Sequence, residues 1–333
     1  MATRSEPSLE ATAKPRIPVE FSDPTAWAAW LYFVDELTQS EVAKAIGVSR
    51  VTVIKLLNEA KDQGLASVRI NPRLLSRVSA SRRLSELWGL NSTVVIPDNP
   101  DRPLVERLGQ AGAMVLQDSL EPGDTVGIAW GRTVLAAAHN LTLDKPIQDL
   151  TLVQLSASPN GLSADFSPEL CVSLSANKLG ARSVSLMAPA IVSSPELKAM
   201  LLDEPSIRNQ LDVIRSANKA LFGIGQLNAD ATLRESELHT DAIIDEMIGH
   251  GAVGAVLGRF LGADGAEMAG PTNDRMIGLS LEEFKRIPKR ICLAGGPVKF
   301  ETIRAALLGG YVTDLVIDLS TAELLIQDAE ARA

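Results

Sequence analysis

The sequence predicts an α/β chain in two parts: a small N-terminal winged helix-turn-helix and a larger C-terminal domain with a largely parallel sheet. A helix–glycine–helix pattern with capping residues occupies residues 38–62. From residue 92 onward, short apolar runs alternate with helical stretches over about 240 residues. The length of 333 residues suits two domains, and 46% apolar with 22% charged residues allows a sizeable core without disulfides.

The N-terminal pattern combines helix caps with apolar stripes. Thr38 and Glu41 have the spacing of a capping box, and Gly47 is placed to end that first helix. Ser49 is a good N-cap for a second helix over residues 50–62. Apolar residues at helical spacing predict a further helix upstream that packs under these two. Those residues are Trp27, Trp30, Leu31, Phe33, Val34 and Leu37.

The second helix would present a polar face suited to base edges and phosphates in a major groove. Residues 65–70 alternate like a short strand, which predicts a wing with Arg69 near the DNA backbone. A docking or dimerisation hairpin with solvated charges is the alternative. The caps, the strand and the local charge agree better with binding to double-stranded DNA. The predicted DNA-contacting residues are Gln39, Ser49, Arg50, Thr52, Lys55 and Arg69.

Charge is unevenly distributed along the chain. The formal net charge is −9, yet residues 38–90 carry nine basic and four acidic side chains. This split predicts a basic binding module joined to an acidic body. The predicted organisation is a disordered tail (1–20), the winged module (21–72), a linking helix that contains the domain boundary (73–90) and an effector-binding and oligomerisation domain (91–333).

Several classes of protein are disfavoured by composition. The two cysteines, Cys171 and Cys292, form no CxxC motif, and the three histidines are scattered, which argues against a disulfide framework or a zinc site. No apolar run is long enough to span a bilayer, and the N-terminus lacks the apolar core of a signal peptide. We therefore expect a cytoplasmic protein with no membrane partner and no cofactor.

Eight apolar runs predict the strands of the second domain. They are apolar throughout rather than alternating, as expected of strands covered on both faces. A sheet of this kind binds ligands beyond the carboxyl ends of its strands. The runs cover residues 92–97, 125–130, 151–157, 183–192, 220–226, 251–260, 290–296 and 314–320, with helical stretches such as 103–120 and 298–310 between them.

Polar residues and glycines at these run ends predict one ligand site. Residues 127–133, GIAWGRT, pass from a strand through glycine into a helix start, an arrangement that holds anions. Basic side chains with hydroxyl and amide donors suit a phosphorylated or otherwise anionic polyol, and aspartates would accept hydrogen bonds from sugar hydroxyls. The predicted effector-binding residues are Gly131, Arg132, Thr133, Gln154, Asp165, Arg259, Asp264, Gly295, Lys299 and Asp318.

Catalysis is not predicted. Sugar-phosphate isomerisation needs a general base, and His139, His239 and His250 lie in or near predicted helices, away from the strand ends. No nucleophile elbow, P-loop lysine or metal-ligand spacing occurs. Two alternatives stay open. One is an isomerase-like enzyme, with an aspartate as base, that carries a DNA-binding module. The other is a DNA-binding scaffold that recruits a protein.

The chain resembles the SorC family of bacterial transcription regulators over roughly residues 25–330. The motifs that carry the resemblance are YFVDELTQSEVAKAIGVSRVTVIKLLNEAKDQGL, GDTVGIAWGRTV, GAVGAVLGRFLGADG and LAGGPVKFETIRAALLGGYVTDLVIDLSTAELL. The resemblance implies a winged helix-turn-helix and an effector domain similar to sugar-phosphate isomerases of the glucosamine-phosphate deaminase type. It also implies a homotetramer, built as a dimer of dimers, and a phosphorylated sugar as inducer.

Carried over by motif, the phosphate would lie on Gly131, Arg132 and Thr133, with Lys299 and Arg259 reaching the ligand from other strand ends. Two departures from the family pattern remove polar groups from the rim of the pocket. The last strand of the family commonly ends in Thr-Asp-Glu, and the corresponding residues here are Ile317, Asp318 and Leu319. The segment after Arg259 often carries an acidic residue in the family, and this chain has Gly262 there. We expect the ligand to shift the operator affinity of paired winged helices.

Overall fold

The computed structural model describes residues 18, 21, 23–63, 65–66, 72–142, 145–159, 166–236 and 238–332. The chain divides into two compact units between Asn71 and Pro72. Two predicted site residues, Arg69 and Asp165, lie outside the described residues, as does most of the predicted wing. Within the described part of the chain, no helix has both the length and the apolar character needed to cross a membrane.

The N-terminal unit contains three helices, α1 (Pro24–Phe33), α2 (Gln39–Ile46) and α3 (Arg50–Asp62). Their ends follow the caps. The Thr38 amide donates to the Glu41 carboxylate at 2.8 Å, which completes the capping box of α2. Gly47 ends α2 at a φ of 72°, in the left-handed region. The Ser49 hydroxyl accepts from the Thr52 amide at 3.1 Å and caps α3.

The three helices pack around a small apolar core, to which the first helix contributes less than its sequence suggests. The buried residues are Ala28, Val42, Ala43, Ile46, Val53 and Leu57. Trp30, Phe33 and Val34, which the helical spacing predicts as packed, are 48%, 39% and 55% exposed. Helix α1 ends at Phe33, so its apolar stripe is cut short, and the Trp30 ring lies 5.9 Å from that of Phe21 instead.

The second unit is a layered α/β domain. Its helices are α4 (Pro72–Trp88), α5 (Leu104–Ser119), α6 (Arg132–Asn140), α7 (Pro168–Leu179), α8 (Pro195–Asp203), α9 (Pro205–Arg215), α10 (Thr232–Glu235), α11 (Asp241–Gly249), α12 (Leu281–Lys285), α13 (Phe300–Leu308) and α14 (Leu319–Arg332). Its strands are β1 (Ser92–Ile96), β2 (Thr125–Ile128), β3 (Thr151–Gln154), β4 (Arg182–Val184), β5 (Lys219–Gly223), β6 (Ala252–Val256), β7 (Arg259–Gly262), β8 (Lys289–Leu293) and β9 (Asp314–Asp318).

Seven strands form one sheet in the order β1-β9-β8-β5-β2-β3-β4, and all neighbours are parallel. Successive residues of a strand pack into two separate apolar cores, one on each face of the sheet. In β5, for example, Leu221 belongs to one core and Phe222 belongs to the other. Helices therefore cover both faces, which explains why the strands are apolar throughout. The largely parallel sheet expected from the sequence is confirmed.

The prediction of a sheet strand over residues 251–260 is wrong. This stretch belongs to an antiparallel hairpin of β6 and β7, outside the main sheet. Leu257 and Gly258 form its two-residue turn, with φ of 50° and 79°. Two-residue hairpin turns need positive φ at both positions, and a leucine there gives no turn signal in the sequence. Backbone hydrogen bonds of 2.9 Å between Gly225 and Ala255 join this hairpin to the segment that follows β5.

Helix α4, expected as a linker with the domain boundary inside it, packs within the second unit. The division of the chain falls at the start of α4. Leu84 is fully buried in the core, and the Trp88 indole donates to the Leu325 carbonyl at 3.3 Å. Arg83 also pairs with Glu330 of α14 at 2.9 Å. These contacts make α4 part of the sheet domain's outer layer.

Candidate functional site

A cavity of about 190 Å³ lies beyond the carboxyl ends of β2 and β5. From β2 the chain proceeds to β3 on one side, and from β5 it proceeds to β8 on the other. The cavity is thus at a switch point of the sheet, where ligands of open α/β domains bind. Its volume suits a small polyol rather than an oligosaccharide.

Four groups of residues line this cavity, which we call the β2–β5 cavity. Apart from Val105 of α5, they come from the segments that include or follow the ends of β2 and β5, from the hairpin and from the turn after β8. They are Val105, Ala129, Trp130, Gly131, Arg132, Thr133, Val134, Gly223, Ile224, Gly225, Gln226, Asp230, Thr232, Leu233, Ala255, Leu257, Gly258 and Lys299. The sequence prediction of Gly131, Arg132, Thr133 and Lys299 as one cluster agrees with this geometry.

The start of α6 forms one wall of the cavity. Gly131 precedes the helix at a φ of 113° and a ψ of 166°, and no side chain of the described residues caps α6. The first amides of a helix have no partner inside the helix, and they carry the positive end of its dipole. Because Arg132, Thr133 and Val134 line the cavity, this end of the helix favours an anion there.

Lys299 closes the cavity from the turn after β8. Its ammonium donates to the Ile224 carbonyl at 3.4 Å, and no carboxylate of the described residues pairs with it. Burial lowers the pKa of Lys299, the nearby Arg132 charge acts in the same direction, and Cys292 opposes them. A desolvated ammonium without a counterion gains most when an anionic ligand enters.

Arg132 has protein partners on two sides. Its guanidinium forms an ion pair with Glu235 at the end of α10 and lies 5.9 Å from the centre of the Phe166 ring. The Gly131 amide donates to the Phe166 carbonyl at 3.3 Å, so Phe166 supports both residues. Glu235 was not predicted from the sequence, because no spacing rule relates it to the strand ends.

Other polar side chains at the cavity come from the loop after β5. Asp230 and Thr232 line it, and Gln226 donates to the Val298 carbonyl at 3.2 Å. The sequence pattern pointed to the strand end that contains Gln226, but Asp230 and Thr232 were not predicted. The only signal in the sequence that could have indicated Asp230 and Thr232 is their position, in the loop after a strand that neighbours β2.

Three predicted ligand residues are held by protein partners away from the cavity. The Gln154 amide donates to the Ser156 carbonyl at 2.7 Å. Arg259 is 7% exposed and pairs with Glu267 at 3.0 Å. Asp264 accepts from a backbone amide at 3.0 Å in the turn after β7. Arg259 directly follows the hairpin turn that lines the cavity, but neither Arg259 nor Asp264 is among the lining residues.

Gly295 and Asp318, also predicted, form a brace beside the cavity and do not line it. The Asp318 carboxylate accepts from the amides of Gly296 at 2.7 Å and Thr321 at 3.1 Å. Burial raises the pKa of Asp318, but these hydrogen bonds and that of the Ser320 hydroxyl outweigh it, so the pKa is lowered overall. A Cβ at Gly295 would lie 2.2 Å from this carboxylate, so glycine is needed there. The brace fixes the turn that leads to Lys299.

The predicted recognition residues lie together in the N-terminal unit. Ser49, Arg50, Thr52 and Lys55 are exposed at the start and along one side of α3. The Arg50 guanidinium donates to the Gln39 side-chain carbonyl at 3.2 Å, which ties the beginnings of α2 and α3. This surface offers hydroxyls, an amide and two cations, the groups that contact phosphates and base edges.

None of the three histidines is among the residues that line the cavity. His239 is buried, and its Nε2 lies 2.8 Å from the Gly258 carbonyl. A carbonyl only accepts, so this nitrogen carries the proton, and burial lowers the pKa of the ring. Across the described ranges, no group of histidine, cysteine and acidic side chains has an arrangement that holds a metal ion.

Comparison with known proteins identifies the family. Residues 73–327 match the family described as "Putative sugar-binding domain". The transcriptional regulator YjhU of Escherichia coli K12 is 35% identical and aligns over 91% of this chain and 94% of its own. The erythritol catabolism regulatory protein EryD of Brucella abortus is 32% identical over 90% and 95% of the two chains.

Solved structures agree with these relatives. The full-length sorbitol operon regulator SorC of Klebsiella pneumoniae matches 91% of this chain and 98% of its own, with a TM-score of 0.71 at 25% identity. A match over 91% of this chain extends beyond the sheet domain into the three-helix N-terminal unit. The chain therefore belongs to the SorC family of transcription regulators, DNA-binding proteins with a C-terminal sugar-binding domain.

Proposed function

We propose that the β2–β5 cavity binds a small phosphorylated sugar or polyol and that this binding changes the operator affinity of the helix-turn-helix unit. One observation carries the proposal. The uncapped start of α6 and Lys299, which no carboxylate of the described residues neutralises, line the same cavity. Helix amides and a desolvated ammonium together favour a compact anion such as phosphate.

The rest of the cavity suits the polyol portion of such a ligand. Gln226, Asp230 and Thr232 offer hydrogen-bond groups for hydroxyls, while Trp130 and Leu257 provide apolar wall. This distribution, a few polar groups in a mostly apolar lining, is common in small-ligand sites. The relative EryD is named for erythritol catabolism and SorC for a sorbitol operon, which supports a polyol-derived ligand here.

On the DNA side, we propose that Gln39, Ser49, Arg50, Thr52 and Lys55 contact the operator, with Arg69 on the predicted wing. A homo-oligomer, a tetramer arranged as a dimer of dimers, would present paired recognition helices to a pseudo-palindromic site in the cytoplasm. The ligand changes DNA affinity only if it binds two arrangements of the subunits unequally.

We further propose that the protein senses its ligand without transforming it. Named relatives are transcription regulators, and no histidine of the described residues lines the cavity. Incubation of the protein with phosphorylated sugars, followed by NMR, tests this directly. Sustained turnover would contradict the sensor function.

Thermal unfolding with paired ligands tests the binding site. We expect phosphorylated tetritols or pentoses to raise the unfolding temperature and their unphosphorylated forms to have little effect, because a ligand that binds only the folded state stabilises it by mass action. Lys299→Met should abolish the shift. Lys178→Met, at an exposed position of α7, is the matched control and should retain it. An equal shift in both variants would contradict the proposed phosphate site.

A further inference from the structure

The two cations of the β2–β5 cavity differ in their surroundings. Lys299 has no carboxylate partner among the described residues, whereas Arg132 is paired with Glu235. Both arginine and glutamate side chains are partly exposed, at 45% and 44%, so the pair is accessible to a ligand. A phosphate bound at the start of α6 would therefore meet one free cation and one that already holds an anion.

The preceding residue in α10, Arg234, holds the helix in place through contacts with α11. The Arg234 side chain is only 16% exposed and pairs with Asp241 at 2.8 Å and Asp245 at 2.5 Å, both in α11. It also donates to the Leu227 carbonyl at 3.1 Å. These bonds fix α10 against α11, and Glu235 at the end of α10 is thereby presented to Arg132.

Resting on the proposed function, we propose that Glu235 is a built-in competitor of the effector for Arg132. While the cavity is empty, the Glu235 carboxylate pairs with the Arg132 guanidinium. The phosphate of the effector can pair with Arg132 only by displacing this carboxylate. Glu235 thus lowers the affinity for the anionic group and sets the effector concentration at which the regulator responds. The competition also means that effector binding breaks the link between α6 and α10.

Titration of the full-length protein with inorganic phosphate, followed by calorimetry, tests this competition. Glu235→Gln removes the competing charge and leaves a side chain of similar size, so phosphate should bind about two- to fivefold more tightly, as exposed ion pairs of this kind imply. Glu121→Gln is the control. Glu121 is 80% exposed and precedes β2 at the opposite edge of the sheet, so its removal should leave the Kd unchanged.

The gain must depend on Arg132. In an Arg132→Gln background, Glu235→Gln should leave the phosphate Kd unchanged. Unchanged or weaker phosphate binding in Glu235→Gln alone would overturn the competitor role, and so would an equal gain in the Arg132→Gln background. Wild-type binding in Lys299→Met would instead contradict the proposed phosphate site, and a lack of saturable binding in both wild type and Glu235→Gln would overturn both proposals.

Discussion

Gly131→Ala perturbs the anion-binding turn through its backbone alone. At a φ of 113° and a ψ of 166°, Gly131 occupies a region in which essentially only glycine is found. A Cβ built there has open space, since its nearest neighbour is the Thr232 methyl group at 4.0 Å. The cost is therefore conformational rather than steric, about 1–3 kcal/mol. For a domain of this size, that lowers the unfolding temperature by about 2–6 °C.

The variant has two ways to accommodate the alanine, and both are measurable. If the turn keeps its conformation, thermal unfolding detects the loss of stability. If the turn relaxes, the amides of α6 no longer converge on the cavity, and calorimetry detects weaker phosphate binding. Gly249→Ala is the control, because Gly249 ends α11 without a positive φ, and its Cβ would meet nothing within 4 Å. Unchanged stability together with unchanged phosphate affinity in Gly131→Ala would refute the assignment of this turn.

Further predictions concern the DNA surface, the cavity and the brace. Arg50→Ala should weaken operator binding by about 1–3 kcal/mol in gel-shift assays and leave the ligand-induced thermal shift intact; unchanged affinity would contradict the recognition surface. Thr133→Ala should show the reverse pattern in the same two assays. Phosphate affinity in wild type should decline as the pH rises through the lowered pKa of Lys299, since the anion binds the charged amine, and Lys299→Met should lack this decline. The contribution of Asp318 to stability should be complete above the ordinary aspartate pKa of 3.8 and disappear as the pH falls through its lowered native pKa. Urea unfolding of Asp318→Asn across this pH range should show a flatter acid dependence than wild type.

The elements that could be predicted from the sequence are those whose causes are local. The capping box at Thr38 and the left-handed Gly47 fix α2 through bonds within a few residues. Gly131 and Lys299 were predictable because parallel strands bring their carboxyl ends to one edge, so position after a strand is enough to group them. The same rule failed for Arg259. In the sequence, the apolar run over residues 251–260 looks like a single buried strand, but the chain turns back at Leu257 and Gly258 and forms a hairpin.

The remaining site features depend on tertiary contacts that no spacing encodes. Asp318 resembles a ligand group in the sequence, but its carboxylate accepts from the amide of Gly296, 22 residues earlier in the chain, as well as from the nearby amide of Thr321. Glu235 reaches Arg132 from 103 residues away along the chain. Asp230 lies in an irregular loop, where neither helical nor strand periodicity applies. Polar groups of this kind can be assigned only once the partners of each are known.

If the proposed function holds, a phosphorylated ligand in the β2–β5 cavity controls operator binding. Fluorescence anisotropy of labelled operator, with and without a saturating phosphorylated ligand from the thermal screen, tests it most directly. The operator Kd of the wild type should change by about 5- to 150-fold on ligand addition, the usual range of allosteric coupling, and the Kd of Lys299→Met should not change. If the ligand leaves the operator Kd of the wild type unchanged, or changes it equally in the wild type and Lys299→Met, control of operator binding through this cavity is contradicted.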